Sequence, residues 1–180
     1  MNATVFSTEF DGLELPARYL ALAMSYMRAA ISLCRAMVDA STTATFPDAC
    51  VVIWLARHGT ELFYKGCIVT KTGALAPRPK SSSGHNLPYL ESLFRQHFPS
   101  SQFVFDPPVG ESLVGDGFTT QQLSESKRFS NRTQERYRYP TQLHGDAFED
   151  VQAITPALLV DVLSSALEQM IAIADAIQAK

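Results

Sequence analysis

Cysteine is scarce in this 180-residue sequence, and none of it is arranged as a metal clip or a disulfide framework. The three cysteines are Cys34, Cys50 and Cys67. Their number is odd and their spacing is too wide for a Cys-x-x-Cys pair, which argues against a redox motif or a structural zinc site. Each lies in an apolar run, so we predict three buried thiols in a reducing compartment.

Long apolar runs and targeting signals are also missing. The N-terminus begins Met1-Asn2-Ala3-Thr4 and lacks the basic and apolar regions of a signal peptide. The longest uninterrupted apolar stretch, Cys50 to Ala56, ends at Arg57 and is far shorter than a bilayer requires. These features predict a cytoplasmic protein without a membrane partner.

Several kinds of catalytic site are excluded by absent motifs. The sequence has neither a Gly-rich phosphate loop nor a Gly-x-Ser-x-Gly turn, which argues against P-loop NTPases and α/β-hydrolases. None of its four histidines is paired at a metal-ligand spacing, and no acidic cluster completes a site. We therefore predict no metal and no cofactor.

What the sequence does contain is typical of one globular domain spanning residues 1–180. Hydrophobic residues make up 46% and charged residues 18%, proportions that suit a packed core. The formal net charge of −3 argues against a protein that coats nucleic acid through its overall field. A local basic patch remains compatible with that charge.

Apolar residues recur three or four positions apart in three long segments, a spacing typical of helices. We predict helices at about 16–40, 48–69 and 156–178, with Asp48 and Thr155 as N-caps. The second is apolar on nearly every face, which is typical of a central, buried helix.

Shorter elements complete the predicted fold. A short helix is expected after Asn86, and irregular loops are expected at about 72–84 and 99–117, where Pro, Ser and Gly are frequent. Within the second loop, Phe103-Val104-Phe105 reads either as a short strand or as an apolar plug. The fold class is thus predicted as all-α, a helical bundle of three long helices with one or two short ones.

Four polar residues interrupt the apolar central helix: Arg57, His58, Glu61 and Lys65, here called the charged stripe. Arg57, Glu61 and Lys65 are four apart and therefore share one helical face, with His58 beside them. Because buried charges are costly unless paired, the stripe is either an internal network that sets helix register or the floor of a ligand site.

A basic and aromatic segment lies before the last helix. Five basic residues and one acid between Lys127 and Arg138 give a local charge of +4 in an acidic protein. Guanidinium groups bind phosphate and the tyrosines can stack on bases, so the segment is a candidate nucleic-acid surface. The alternative is a surface segment whose arginines pair with nearby carboxylates. The candidate ligand-binding residues here are Arg132, Arg136, Tyr137 and Tyr139.

Taken in order, four pieces of the chain resemble the HEPN superfamily of helical bundles, over about residues 16–178. The helix from Tyr19 to Met37 reads like its opening helix. His58 to Gly66 is similar to its Ala-x-Glu-hydrophobic-x-x-Lys helix, with Gly59 where alanine is usual. The segment 84–90, Gly-His-Asn-Leu-Pro-Tyr-Leu, resembles its Gly-His-x-Leu-x-x-Leu element, which makes His85 a candidate ligand contact. Tyr137-Arg138-Tyr139-Pro140 is similar to an Arg-Tyr-Pro element of some members.

The resemblance also implies a possible activity. Family members that cut RNA do so without metal, through an Arg-x(4–6)-His motif at a site formed across a homodimer. Arg138 and His144 have that spacing in this sequence. His144 would act as general acid or base and Arg138 would hold the phosphate. Pro140 lies inside the motif and Gly145 follows it, so a regular helix there is not expected.

Three hypotheses for the function follow. The first in rank is a HEPN-like module that binds RNA, a nucleotide or a protein partner, in a prokaryotic defence or toxin–antitoxin context that the resemblance implies. The second is a metal-independent HEPN endoribonuclease using Arg138 and His144. The third is a purely structural dimerisation domain in which the charged stripe serves helix register only.

Overall fold

The protein was analysed as a computed structural model, which describes residues 8–39, 44–76, 86–108 and 155–179. Within these ranges the regular structure is helical and there is no strand, which confirms the predicted all-α class for the described chain. The elements are α1 (Thr8–Asp11), α2 (Leu15–Asp39), α3 (Phe46–Thr72), α4 (Leu87–His97), a 3-10 turn (Ser101–Phe103) and α5 (Pro156–Gln178).

The start of α3 corrects the predicted cap. Thr45, not Asp48, is the N-cap, and the two form a capping box. The backbone N–H and hydroxyl of Thr45 donate to Asp48 Oδ2 at 3.0 and 2.6 Å, and the Asp48 N–H donates back to Thr45 Oγ1 at 3.4 Å. Hydrogen bonds from Thr45 lower the pKa of Asp48. The acid therefore occupies the third helical position, where it supports the cap.

The other helix boundaries follow the local signals in the sequence. α4 begins after Asn86, whose side chain accepts a hydrogen bond from the Tyr89 N–H at 3.1 Å. α5 begins at Pro156 directly after Thr155, as predicted. α3 ends at Thr72 and is capped by Gly73, which adopts a left-handed conformation with φ of 70° and donates its N–H to the Val69 carbonyl. This conformation favours glycine, which has no Cβ to clash.

α3 is the central helix, since it contacts α2, α4 and α5. Its buried residues run through its whole length, as expected of a helix that is apolar on nearly all sides. α2 also packs on α5, and the Cys34 thiol of α2 donates to the Pro156 carbonyl at 3.1 Å. The first turn of α5 is thereby tied to α2.

The predicted burial of the thiols is confirmed for two of the three cysteines. Cys34 and Cys67 are buried, and burial raises the pKa of both thiols. Cys50 is only half-buried, so the prediction was wrong for that residue. A raised pKa disfavours the thiolate, so Cys34 and Cys67 are poor nucleophiles.

The irregular segment after α4 is an apolar plug and not a strand. Phe103 and Phe105 are buried, whereas Val104 between them is 64% exposed. Phe105 packs on Phe63 with ring centroids 4.9 Å apart, and Phe103 packs on Phe98 at 5.1 Å. The remainder of the two predicted loops, residues 77–84 and 109–117, lies outside the described residues.

Two helices, α2 and α5, are long and apolar enough to cross a membrane by length and composition. About a third of each candidate span, 33%, is buried inside the protein. Core helices of proteins that never enter a membrane meet the same criterion, so the absence of a membrane partner and the cytoplasmic location stay predictions.

α2 and α3 approach closely at two glycines one heptad apart, Gly59 and Gly66. A Cβ on Gly59 would lie 2.9 Å from the Ala23 carbonyl oxygen. A Cβ on Gly66 would lie 2.9 Å from a methyl carbon of Leu20 and 3.1 Å from the Tyr19 Cβ. The nearest atom at Gly59 is backbone and cannot move without displacing α2, whereas the nearest atom at Gly66 is the end of a flexible side chain.

We therefore expect Gly59→Ala to lower the free energy of unfolding by up to about 2 kcal/mol, because an overpacking cost of about 1–3 kcal/mol is only partly offset by a gain of about 1 kcal/mol in helix propensity. Gly66→Ala is the matched comparison and should lose less stability than Gly59→Ala, since Leu20 can change rotamer and the Tyr19 Cβ at 3.1 Å needs only a small shift. Urea denaturation of both variants measures the difference. Equal losses would contradict the close backbone approach at Gly59.

Candidate functional site

The charged stripe lies on α3, at the edge of the buried core. Arg57 and Glu61 are buried, with 9% and 4% of their surface exposed. The side chains of His58 and Lys65 are more open, at 29% and 20%. Glu61 therefore forms the interior of the cluster, while His58 and Lys65 are its most accessible members.

Glu61 interacts electrostatically with two neighbouring residues of the stripe. Its Oε1 accepts a hydrogen bond from Lys65 Nζ at 2.5 Å, one helical turn away. Its Oε2 lies 3.9 Å from His58 Nδ1, too long for a hydrogen bond. Arg57, His58 and Glu61 each take part in at least one further interaction.

An aromatic group borders the stripe beside His58. The Trp54 ring stacks on the His58 imidazole, with centroids 5.5 Å apart and planes 7° from parallel. Tyr26 of α2 meets both rings edge-on, 4.7 Å from His58 and 6.3 Å from Trp54. These contacts fix the imidazole plane, so that the position of Nδ1 relative to Glu61 is set by packing.

The stripe combines two permanent cations and one carboxylate, a charge of +1 with His58 neutral and +2 with His58 protonated. Arg57 and Lys65 are eight positions apart, which corresponds to a rise of about 12 Å along a helix. An ammonium group that is held by a buried carboxylate and still has N–H donors left, like that of Lys65, is suited to binding an anion such as phosphate. The arrangement can bind and orient an anion, because the buried Glu61 holds the Lys65 ammonium group in place.

The structure brings three of the predicted site residues close together and places a fourth on the same helix. His58, Glu61 and Lys65 form one cluster on α3, and Arg57 lies one turn before Glu61. Seven predicted residues lie outside the described part of the chain, namely His85, Arg132, Arg136, Tyr137, Arg138, Tyr139 and His144.

Two neighbours of the site were missed by the sequence analysis, Trp54 and Tyr26. Trp54 could have been found, since it lies four residues before His58 on the same helix and positions four apart are adjacent. Tyr26 belongs to α2, and no local signal indicates that it meets His58. Its contact depends on the crossing of the two helices.

Among the described residues, no group of three or more His, Cys, Asp or Glu side chains is placed to hold a metal ion. The arrangement on α3 is thus the strongest candidate site that the described chain offers. Comparison of the chain with protein-family models, with curated proteins and with solved structures finds no match.

Proposed function

We propose that this chain is a HEPN-like helical-bundle module that binds RNA or a nucleotide through the charged stripe. The observation that carries the proposal is the pair of partly exposed side chains, His58 and Lys65, beside the buried Glu61, with Arg57 one turn before it on the same helix. A cluster that served helix register alone would need only one balanced pair. Here Glu61 lies close to both Lys65 and His58, and the side chains of both remain partly exposed.

Phosphate is the ligand chemistry that this cluster suits best. Lys65 is held by Glu61 and still has two N–H donors free of that bond, and its side chain is one-fifth exposed. His58 is likewise partly exposed, and its imidazole is held in place by Trp54 and Tyr26. A pre-oriented donor binds an anion at a smaller entropic cost than a mobile surface lysine.

The basic and aromatic segment at residues 127–139 supports the same ligand class from the sequence alone. Its local charge of +4 is suited to a phosphate backbone, and its tyrosines are suited to stacking on bases. In the proposal, this segment adds contacts to phosphates and bases to those made by the charged stripe.

The proposal predicts that Lys65→Gln weakens binding of a short fluorescein-labelled single-stranded RNA, or of ATP, about tenfold. That factor corresponds to the loss of one charge-assisted hydrogen bond, about 1.5 kcal/mol. Fluorescence anisotropy for RNA and calorimetry for ATP, both in chelator, measure the change. The slope of log affinity against log salt should fall by about one for RNA.

Lys71→Gln is the matched control, because it removes the same charge from the same helix at an exposed position in the last turn. It should change the affinity less than twofold, as expected for a long-range effect screened by salt. Circular dichroism establishes that both variants are folded. Equal effects of the two variants, or no binding by the wild type, would contradict a site at the charged stripe.

A second candidate, the metal-independent endoribonuclease, is favoured by the Arg138 and His144 spacing in the sequence. It predicts that the wild type cleaves RNA in the presence of a chelator. The His144→Ala variant should still bind RNA but should no longer cleave it. Because such sites form across a homodimer in the family, the dimer content of both proteins is measured by light scattering in the same experiment. Cleavage that persists in His144→Ala would rule out this candidate.

A further inference from the structure

The accessible surface in the middle of α3 is confined to a few side chains. Between residues 52 and 69, Trp54, Leu55, His58 and Lys65 are partly exposed, and every other residue is buried. Trp54 lies four residues before His58, and Lys65 lies seven residues after it, so the three share one face of the helix. A ligand that binds at Lys65 and extends along this face therefore meets His58 and Trp54.

Two flat rings lie at the N-terminal end of this face. The indole of Trp54 and the imidazole of His58 are 7° from parallel, with centroids 5.5 Å apart. Atoms in van der Waals contact are about 3.5–4 Å apart, so rings at this centroid distance are offset and cover each other only in part. Both residues keep exposed surface, which amounts to 29% of the His58 side chain. Accessible aromatic rings of this kind are suited to stacking on a nucleobase.

Tyr26 of α2 holds this pair of rings in place. Its ring centroid lies 6.3 Å from that of Trp54 and 4.7 Å from that of His58. The ring is nearly perpendicular to both, at 85° and 88°, so it does not stack on the face of either. Because the rings are fixed by the packing of two helices, they lose little freedom when a ligand binds, which lowers the entropic cost of binding.

The distance from the rings to Lys65 selects the length of the ligand. His58 precedes Lys65 by a rise of about 10 Å along the helix, and Trp54 lies about 6 Å further. This exceeds the distance between a base and the 5′-phosphate of its own nucleotide. A base on the rings and a phosphate at Lys65 therefore belong to neighbouring nucleotides of one strand. The Lys65 ammonium group, which donates to Glu61, has further N–H donors for the phosphate oxygens.

Stacking on these rings requires an unpaired base. In a double helix the bases are paired and stacked on each other, whereas the bases of single-stranded RNA can be splayed out and stacked on aromatic side chains. Neither stacking nor a lysine contact to phosphate reads the identity of a base, so the binding should show little sequence preference.

We propose that the ligand of the charged stripe is single-stranded RNA, with one unpaired base stacked on the Trp54 and His58 rings and the phosphate of a neighbouring nucleotide bound by Lys65. The inference rests on the proposed function and narrows it from RNA or a nucleotide to an unpaired strand. It also adds Trp54, which lies outside the charged stripe, to the binding residues.

The stacking is directly observable, because Trp54 is the single tryptophan of the chain. Titration of the wild type with single-stranded tetra-adenylate should quench its fluorescence saturably, since a stacked base contacts the indole. Tripolyphosphate, which carries phosphates but no base, should bind in calorimetry without quenching. AMP is too short to reach Lys65 from the rings and should bind at least roughly tenfold more weakly than tetra-adenylate, the loss of one charge-assisted hydrogen bond.

Trp54→Leu should weaken the binding of fluorescein-labelled tetra-adenylate at least about fivefold, the lower end of what stacking of one base contributes. Its affinity for tripolyphosphate should be unchanged. Phe46→Leu is the matched control, because it removes an aromatic ring that is 50% exposed at the start of the same helix. This variant should bind both ligands as the wild type does. Circular dichroism establishes that both variants are folded.

The outcomes separate this inference from the proposed function. If Lys65→Gln weakens RNA binding while Trp54→Leu behaves like Phe46→Leu and the wild type shows no quenching, the stacking is overturned and the charged stripe stands. Equal losses of RNA and tripolyphosphate affinity in Trp54→Leu would reduce Trp54 to a packing role and overturn the stacking as well, as would AMP binding as tightly as tetra-adenylate. No RNA binding by the wild type overturns both proposals. If Trp54→Leu does not fold, the quenching of the wild type decides.

Discussion

Replacing Glu61 by glutamine is expected to lower the free energy of unfolding by about 3 kcal/mol. The substitution keeps the shape of the side chain but removes the charge that holds Lys65 at 2.5 Å and faces His58 at 3.9 Å. Breaking a buried ion pair by neutralising one partner costs about 3–5 kcal/mol. The lower end applies here, because one-fifth of the Lys65 side chain is exposed and remains hydrated. Urea denaturation at neutral pH measures the loss.

Glu91→Gln is the matched control for this prediction. Glu91 pairs with Arg95 at the same four-residue spacing, but its side chain is 32% exposed and that of Arg95 is 64% exposed. Exposed pairs contribute about 0.5 kcal/mol or less, so this variant should unfold almost as the wild type does. Losses of equal size in Glu61→Gln and Glu91→Gln would show that Glu61 is no more critical than a surface residue.

The double variant Glu61→Gln, Lys65→Met separates the structural and ligand-binding interpretations of the stripe. Removing both charges should restore much of the stability lost in Glu61→Gln, because no uncompensated charge then remains in the pair. If the pair serves only helix register, the double variant should be indistinguishable from wild type in RNA and nucleotide binding. The proposed function requires that binding remains weakened although stability returns.

Leu163→Ala is expected to lower the free energy of unfolding by about 2–5 kcal/mol. Leu163 is fully buried at the middle of α5, at 0% exposure, in the face that packs on α2 and α3. Truncation removes buried apolar surface and leaves a cavity that the neighbouring helices fill only in part. Chemical denaturation followed by circular dichroism measures the change.

Leu158→Ala on the same helix is the control for this prediction. Leu158 is 48% exposed, so the same truncation should cost less than about 1 kcal/mol. A large loss at Leu158 together with a small loss at Leu163 would mean that α5 is rotated about its axis, with its other face toward the core. The pair of variants therefore tests how the last helix is docked.

Much of the helical framework was predictable, because helix boundaries depend on neighbours in sequence. Asn86 and Thr155 precede α4 and α5 as predicted, each followed by a proline within the first turn. The error at the start of α3, Asp48 as its N-cap, arose where Thr45 and Asp48 both suit that position. A Thr followed three residues later by an acid is the pattern of a capping box, in which the hydroxyl residue is the cap.

The contacts within α3 at the candidate site were also predictable from the sequence. Helical spacing places Glu61 one turn from Lys65, and the structure shows the two side chains in contact. Trp54 follows the same rule relative to His58 and was overlooked. Contacts with residues on another helix, such as Tyr26, cannot be predicted from the local sequence.

The sequence by itself determined which segments become helices, where they begin, and which side chains share a turn, since those properties depend on contacts within about four residues. Only the tertiary structure determined which residues of different helices are in contact. It placed Gly59 against the Ala23 carbonyl, where the family resemblance suggested alanine, and it enclosed Tyr64 between rings from Phe94 and Phe105. Such contacts join residues far apart in the chain, and they depend on how whole helix faces pack together.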